Sequence, residues 1–177
     1  MKRVFTISLL TILFPFGACA QKVDNTPVAA LDLQRYLGTW YEIARYDHSF
    51  ERGMDNVQAL YTLTDEGTVR VENTGWKDGE FKRSIGKAFL PEPEEQPAWL
   101  RVSFFGPFYS DYRVMMLSED YEYALVGSKS DKYLWILSRI PAVPDEVLSS
   151  IIVEAQRRGY DTYKLIWVPQ EEASQYE

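Results

Sequence analysis

Eight short runs of alternating apolar and polar residues follow one another between Trp40 and Arg139, and this repetition limits the fold more than any other feature. The runs are Trp40–Tyr46, Val57–Leu63, Val69–Thr74, Ser84–Leu90, Trp99–Phe104, Tyr112–Leu117, Tyr123–Ser128 and Tyr133–Arg139. Turn-rich stretches separate them: "TDEG" (64–67), "GWKDGE" (75–80), "PEPEEQP" (91–97), "GPFYSD" (106–111), "SEDY" (118–121) and "KSDK" (129–132). Period-two alternation marks half-buried strands, and this spacing marks an antiparallel sandwich or barrel. If eight strands close on themselves, the interior is just wide enough to be filled by side chains or to hold one small ligand.

Two other elements frame the strands. "LDLQRYLG" (31–38) predicts a short helical turn with Asp32 as cap and Gly38 as stop. "PDEVLSSIIVEAQRRG" (144–159) predicts a helix whose stripe of Val147, Leu148, Ile151, Ile152 and Ala155 packs on the outer wall. Asp145 and Glu146 suit its first turn, Arg157 and Arg158 its last, and Gly159 ends it. "YKLIWV" (163–168) reads as a short ninth strand.

Connectivity makes one long-range prediction. In an up-and-down barrel the first and eighth strands are antiparallel neighbours, so Trp40 at the start of one lies beside Arg139 at the end of the other. A guanidinium over an indole face contributes about 0.5–2 kcal/mol. It would also plug one end of the barrel, next to Gly38.

The N-terminus carries a different signal. "MKRVFTISLLTILFPFGACA" has two cations, then an apolar run from Val4 to Phe16 that is too short for an ordinary transmembrane span. It reads as an export signal. Gly17-Ala18-Cys19 resembles a lipobox, with Phe16 where Leu is usual; cleavage there leaves Cys19 as a lipid-modified N-terminus. The rival is cleavage after Ala20, which discards the cysteine. We read residues 1–18 as the leader, 19–30 as a tether, 31–169 as the domain and 170–177 as a polar tail.

Charge and cysteine content exclude several functions. The chain carries a net charge of −7. Loss of residues 1–18 removes Lys2 and Arg3 and leaves 17 basic residues against 26 acidic ones. No basic stripe exists to meet nucleic acid or anionic lipid. Cys19 is the single Cys, which rules out thiolate metal sites and redox pairs. His48 has no evident nucleophile partner and is read as a loop residue making a local bond. There is no phosphate-binding Gly loop, and neither metal nor cofactor is expected.

Three ordered motifs carry a resemblance: Gly38-x-Trp40-Tyr41, "YRVMMLSEDYEYALV" (112–126), and "YLWILSR" ending at Arg139. Together with eight strands and a following helix they resemble the lipocalins. The blocks "RYLGTWYEIARYDHSFERG", "VSFFGPFY" and "YLWILSR" are similar to the bacterial outer-membrane lipoprotein branch of that family, and to its apolipoprotein D and plant temperature-induced branches. The resemblance spans Leu31 to Pro169. It implies an all-β, eight-stranded up-and-down antiparallel barrel forming a calyx, with the helix outside. It also implies storage or transport of a fatty acid (palmitate, for example), a lysophospholipid or a similar lipid, with a link to envelope stress. Localisation would be the outer membrane, lipid-anchored and facing the periplasm. Ala20 after Cys19, with no Asp there, is the family pattern for outer-membrane sorting.

Placing Trp40 inward and matching the other strands to the lipocalin pattern gives an interior set. The ligand-binding residues expected from it are Glu42, Ala44, Ala59, Tyr61, Val71, Asn73, Ala88, Val102, Phe104, Tyr112, Val114, Met116, Tyr133 and Trp135. Gly86, Leu100, Ala124, Val126 and Leu137 are also expected inside. Small residues among large ones fit either a solid core or a calyx with room for an acyl chain. Glu42 is the chemical anomaly: unpaired burial of a carboxylate is costly. It makes either a structural hydrogen bond or, with Tyr61, Asn73, Tyr112 and Tyr133, a contact to a lipid head group. Phe105, Phe108 and Tyr109 are expected at the open end, as loop packing, a portal, a membrane contact or a self-association patch that would allow a homodimer. The reading is a binding protein. Its rivals are an envelope adaptor with a filled barrel, and an isomerase-type enzyme that would have to use Glu42.

Overall fold

The computed structural model describes residues 23–170. The leader, Cys19 and the last seven residues lie outside the described part. The strands are β1 (Gly38–Tyr46), β2 (Asp55–Leu63), β3 (Val69–Lys77), β4 (Glu80–Phe89), β5 (Trp99–Phe105), β6 (Phe108–Leu117), β7 (Tyr123–Gly127), β8 (Leu134–Ser138) and β9 (Leu165–Trp167). Helix α1 (Leu33–Tyr36) precedes them and α2 (Asp145–Arg157) lies between β8 and β9. Every neighbour from β2 round to β8 is antiparallel, and β1 pairs with both β8 and β2, which closes the barrel. β9 adds outside the ring, pairing with β1 at Ala44–Tyr46, beyond the stretch where β1 meets β2.

Two hairpins are tighter than the turn-rich stretches suggest. "GWKDGE" is mostly strand, because Asp78 and Gly79 both take positive φ (53° and 77°) and form a two-residue turn. Asp-Gly is the sequence that such a turn favours, and its twist matches the flanking strands. "GPFYSD" likewise becomes strand from Phe108 onward.

One end of the barrel is closed by Arg139. Its guanidinium lies 3.9 Å from the centre of the Trp40 ring, and Trp40 is fully buried. It donates to the carbonyl oxygens of Thr39 (2.6 Å), Leu37 (2.8 Å), Arg35 (2.9 Å), Tyr36 (3.1 Å) and Tyr121 (3.3 Å). Three of these carbonyls belong to the end of α1, where a helix leaves acceptors unsatisfied. α1 starts on the Asp32 carboxylate, which accepts from the Gln34 and Arg35 amides. It is held across the barrel floor by the Trp40 Nε1 donation to Tyr36 O at 2.8 Å. Gly38 sits at φ +92°, where a Cβ would come 3.3 Å from an Arg139 nitrogen. A side chain there would be strained by the backbone and crowd the plug at once.

The second core lies outside the ring, between the barrel wall and α2. Ile151 and Ala155 of the helix are buried there with Ile43, Ala44, Tyr46, Met115, Leu125, Leu134 and Ile136, while Val147 and Leu148 pack at the margin. α2 runs from the closed end toward the open one, since it follows Arg139 and Tyr160, just past its end, meets Tyr46 at the far end of β1.

The described part of the 19–30 segment is held against the domain. Val28 donates to Val114 O, Asp24 donates to Arg158 O, and Val23 packs against the outer core. Residues 23–30 therefore line the barrel wall as part of the domain. At the other end Gln170, assigned to the tail, donates to the carbonyls of Glu42 (2.7 Å) and Val57 (3.0 Å).

Replacing Arg139 by Ala should cost about 3 kcal/mol in urea unfolding, because it removes the donor to carbonyls at the end of α1 and uncovers an indole. Arg139→Lys should recover only part of that loss, since one ammonium cannot reach carbonyls in five directions.

Candidate ligand-binding cavity

The ring encloses a cavity of about 860 Å³, open at the end away from Arg139. Its size falls in the range of small-molecule sites. Two of the three layers are apolar or self-satisfied. At the floor Tyr36, Tyr61 and Tyr112 join hydroxyls, Tyr36 to Tyr112 at 2.6 Å and Tyr61 to Tyr112 at 3.1 Å. Burial pushes all three phenols above their ordinary value, so the floor is neutral. Val69, Val71, Ala88 and Leu100 cluster against Tyr61 and Tyr112, and Val57, Val102 and Phe104 continue the apolar lining as a waist.

The third layer, near the mouth, holds charge. Glu42, Arg45, His48 and Glu51 are all buried, with 4%, 1%, 6% and 6% of their surface exposed. Arg45 donates to Glu42 Oε1 at 2.7 Å and to the Glu51 carbonyl at 2.7 Å. Trp135 Nε1 donates to Glu51 Oε2 at 3.3 Å. His48 Nε2 lies 3.0 Å from the same oxygen, without the alignment of a hydrogen bond, and the ring stacks on Phe50 at 3.8 Å. Desolvation raises the Glu42 pKa well above 4.5, and the neighbouring Glu51 carboxylate adds to the rise; Arg45 opposes it only in part.

A β-bulge assembles this cluster. In the β1–β8 ladder Glu42 faces Leu137 and Ala44 faces Ile136, so Ile43 is an extra residue. The insertion reverses the in–out alternation beyond it. Arg45 turns inward to Glu42, and Ala44 turns outward into the core beneath α2. A second bulge in β6 places Val114 opposite Val126 and Met116 opposite Leu125, with Met115 extra. Met116 consequently packs against the outer core.

Of the fourteen expected ligand-binding residues, eleven line the cavity: Glu42, Ala59, Tyr61, Val71, Asn73, Ala88, Val102, Phe104, Tyr112, Tyr133 and Trp135. Three do not. Ala44 and Met116 face outward because of the two bulges, and Val114 lies in the packed floor with Trp40, Ala124 and Val126. Asn73 Oδ1 is buried in the wall without a partner among the described residues. Strict alternation also missed Arg45, and the mouth loop supplies Phe50, Glu51 and Met54 to the lining. Their signal was the "HSFERG" loop itself, whose side chains no strand period could orient. The cavity also excludes the filled-barrel alternative.

A closed eight-stranded barrel with one plugged end, one open end and a single apolar interior defines the class of calyx-type ligand-binding proteins. The sequence profile of the Lipocalin-like domain matches residues 31–170, and this chain belongs to the lipocalin family. It is 43% identical over 175 residues to the outer membrane lipoprotein Blc of Escherichia coli K12, covering 96% of this chain and 98% of that one. It is 36% identical over 159 residues to temperature-induced lipocalin-1 of Arabidopsis thaliana, covering 85% of each. Among solved structures, insecticyanin from the tobacco hornworm Manduca sexta superimposes with a TM-score of 0.71 at 22% identity, covering 87% of this chain and 88% of that one.

The raised Glu42 pKa has a testable sign. A carboxyl that holds its proton more tightly when folded contributes stability below about pH 4.5, and that contribution is lost as pH rises through the raised pKa. Thermal unfolding of Glu42→Gln should therefore depend less on pH than the parent above pH 4.5, with the variant gaining relative stability toward neutral pH.

Proposed function

We propose that this lipocalin binds a single-chain lipid, a fatty acid or a lysophospholipid, and stores or carries it in the cell envelope, where it serves membrane maintenance under stress. The observation that carries the reading is the layered cavity: a neutral floor, an apolar waist and one buried polar cluster at the mouth. An acyl chain gains about 0.8 kcal/mol per buried CH₂, so a waist of valines, leucine and phenylalanine is where the affinity would come from. The head group would then lie at the Glu42, Arg45 and Glu51 layer, within reach of Tyr133, while Asn73 in the wall offers an acceptor. In this role Glu42 contributes as a neutral acid, able to donate a hydrogen bond to an ester or phosphate oxygen. The Arg45 hydrogen bond that fixes its carboxyl supports a binding role over an acid/base one.

The same reading places the protein at the outer membrane, attached through an acylated Cys19 and facing the periplasm. The leader pattern supports it, as does the similarity to proteins named outer membrane lipoprotein.

Mass spectrometry of lipid extracted from the purified native protein tests the ligand class, and single-chain amphiphiles are the expected finding. Added fatty acid should quench Trp135. Ala88→Phe, which fills the waist, should weaken binding more than about tenfold while changing unfolding by less than about 2 kcal/mol. Undiminished binding by this variant would place the ligand elsewhere.

A further inference from the structure

Five of the seven most exposed aromatic side chains among the described residues lie at the open end; Trp167 is on β9 and Phe89 ends β4 at the plugged end. Phe105 and Phe108, 81% and 78% exposed, tip the β5–β6 hairpin at the open end. Phe81 (55%) starts β4 at the same end, and Phe50 (59%) lies in the loop that follows β1. Tyr163, 98% exposed, precedes β9, whose pairing with β1 puts that side chain beyond Tyr46 at the mouth. They come from four separate segments and surround an open cavity, so they make a ring of points and not one flat patch.

The N-terminal chain leads to the same end. Residues 31–36 lie at the plugged floor, Val28 lies beside Val114, and Asn25 donates to Lys129 O in the mouth loop between β7 and β8. Val23 packs beside Gly159, past the end of α2. Cys19 is four residues further on, and four residues span at most about 14 Å. An acyl group on Cys19 would therefore enter a bilayer close to the rim, far from Arg139.

We propose that the open rim itself docks on the lipid bilayer, with the aromatic ring inserted at the interface and the calyx mouth turned toward the membrane. This rests on the lipid-binding, Cys19-anchored reading above and adds an orientation to it: the ligand passes between bilayer and cavity without crossing water. Aromatic rings at loop tips suit the head-group zone, where part of a ring is buried and part is wet. A second copy of the chain would need a continuous complementary face, which separate tips around a hole do not offer. The docking is mainly apolar, because acids pair with three of the rim cations: Arg52 with Asp47, Lys82 with Glu80, and Lys164 with Asp161. Anionic lipid and salt therefore change it little.

The test uses the full chain isolated with its native N-terminus and reconstituted into phosphatidylcholine vesicles. A fluorophore is attached at Lys132→Cys on the rim, or at Glu66→Cys in the turn between β2 and β3 at the plugged end. A doxyl-labelled phosphatidylcholine should quench the rim label about twofold or more and leave the other nearly unchanged. Adding Phe105→Ser and Phe108→Ser to the rim-labelled protein should abolish most of the quenching. It should also slow fatty-acid uptake from vesicles, while affinity for dispersed fatty acid stays the same. Replacing part of the vesicle with phosphatidylglycerol should alter neither signal. Equal quenching at both labels, quenching unaffected by the two serines, or a rim label shielded in a dimer and not by lipid would each overturn the proposal. Loss of dispersed fatty-acid binding in the unsubstituted protein, with rim quenching intact, would instead overturn the ligand reading and leave the orientation standing.

Discussion

The barrel depends on a single side chain meeting groups from across the sequence. Arg139 ends β8, yet its guanidinium gathers the carbonyls of α1, Thr39 and Tyr121, and covers the Trp40 indole. Without it, the short helix would end in unsatisfied carbonyls and the floor would open. With it, the first and last strands of the ring are fastened and α1 is laid over the opening. Only one end can be closed this way, which makes the cavity blind and gives it a direction.

Direction explains the sorting of chemistry along the axis. The deepest groups are three tyrosine hydroxyls bonded to one another, and the middle is aliphatic. The buried polar cluster lies near the mouth, where Arg45 bonds Glu42 and the Glu51 carbonyl out of water and His48 stands beside Glu51. Such a cluster is costly to bury and breaks badly if one member is lost. Its position beside Trp135 and under the Phe50 loop puts that cost where a ligand's polar end would lie. The N-terminal strap follows the same axis in reverse, from floor to rim, so an anchor at Cys19 would share one side of the molecule with the mouth.

Much of this was legible in the residues. Alternation identified eight strands, the stripe on residues 147–155 identified the outer helix, and closure paired Trp40 with Arg139. The interior set was correct where alternation ran unbroken, as along β3, whose pairing with β4 keeps one register from Val69 to Lys77. It failed at Ala44 and Met116 because a bulge adds one residue and inverts the face of every residue beyond it. The loss of Ala44 from the cavity and the turn of Arg45 toward Glu42 are the same event. Val114 failed differently: it does face inward, but at a level already filled by the floor.

The sequence by itself determined strand number, strand order and the outward helix, because these come from local period, turn chemistry and chain connectivity. Tertiary structure decided what Glu42 does, since its partner Arg45 reaches it only through a bulge that leaves no mark on residue spacing. It also decided that the segment before α1 is a strap along the wall, because a polar, Pro-containing stretch looks the same free or bound. Hydrogen bonds to Val114, Lys129 and Arg158, all more than eighty residues away, are what hold it there.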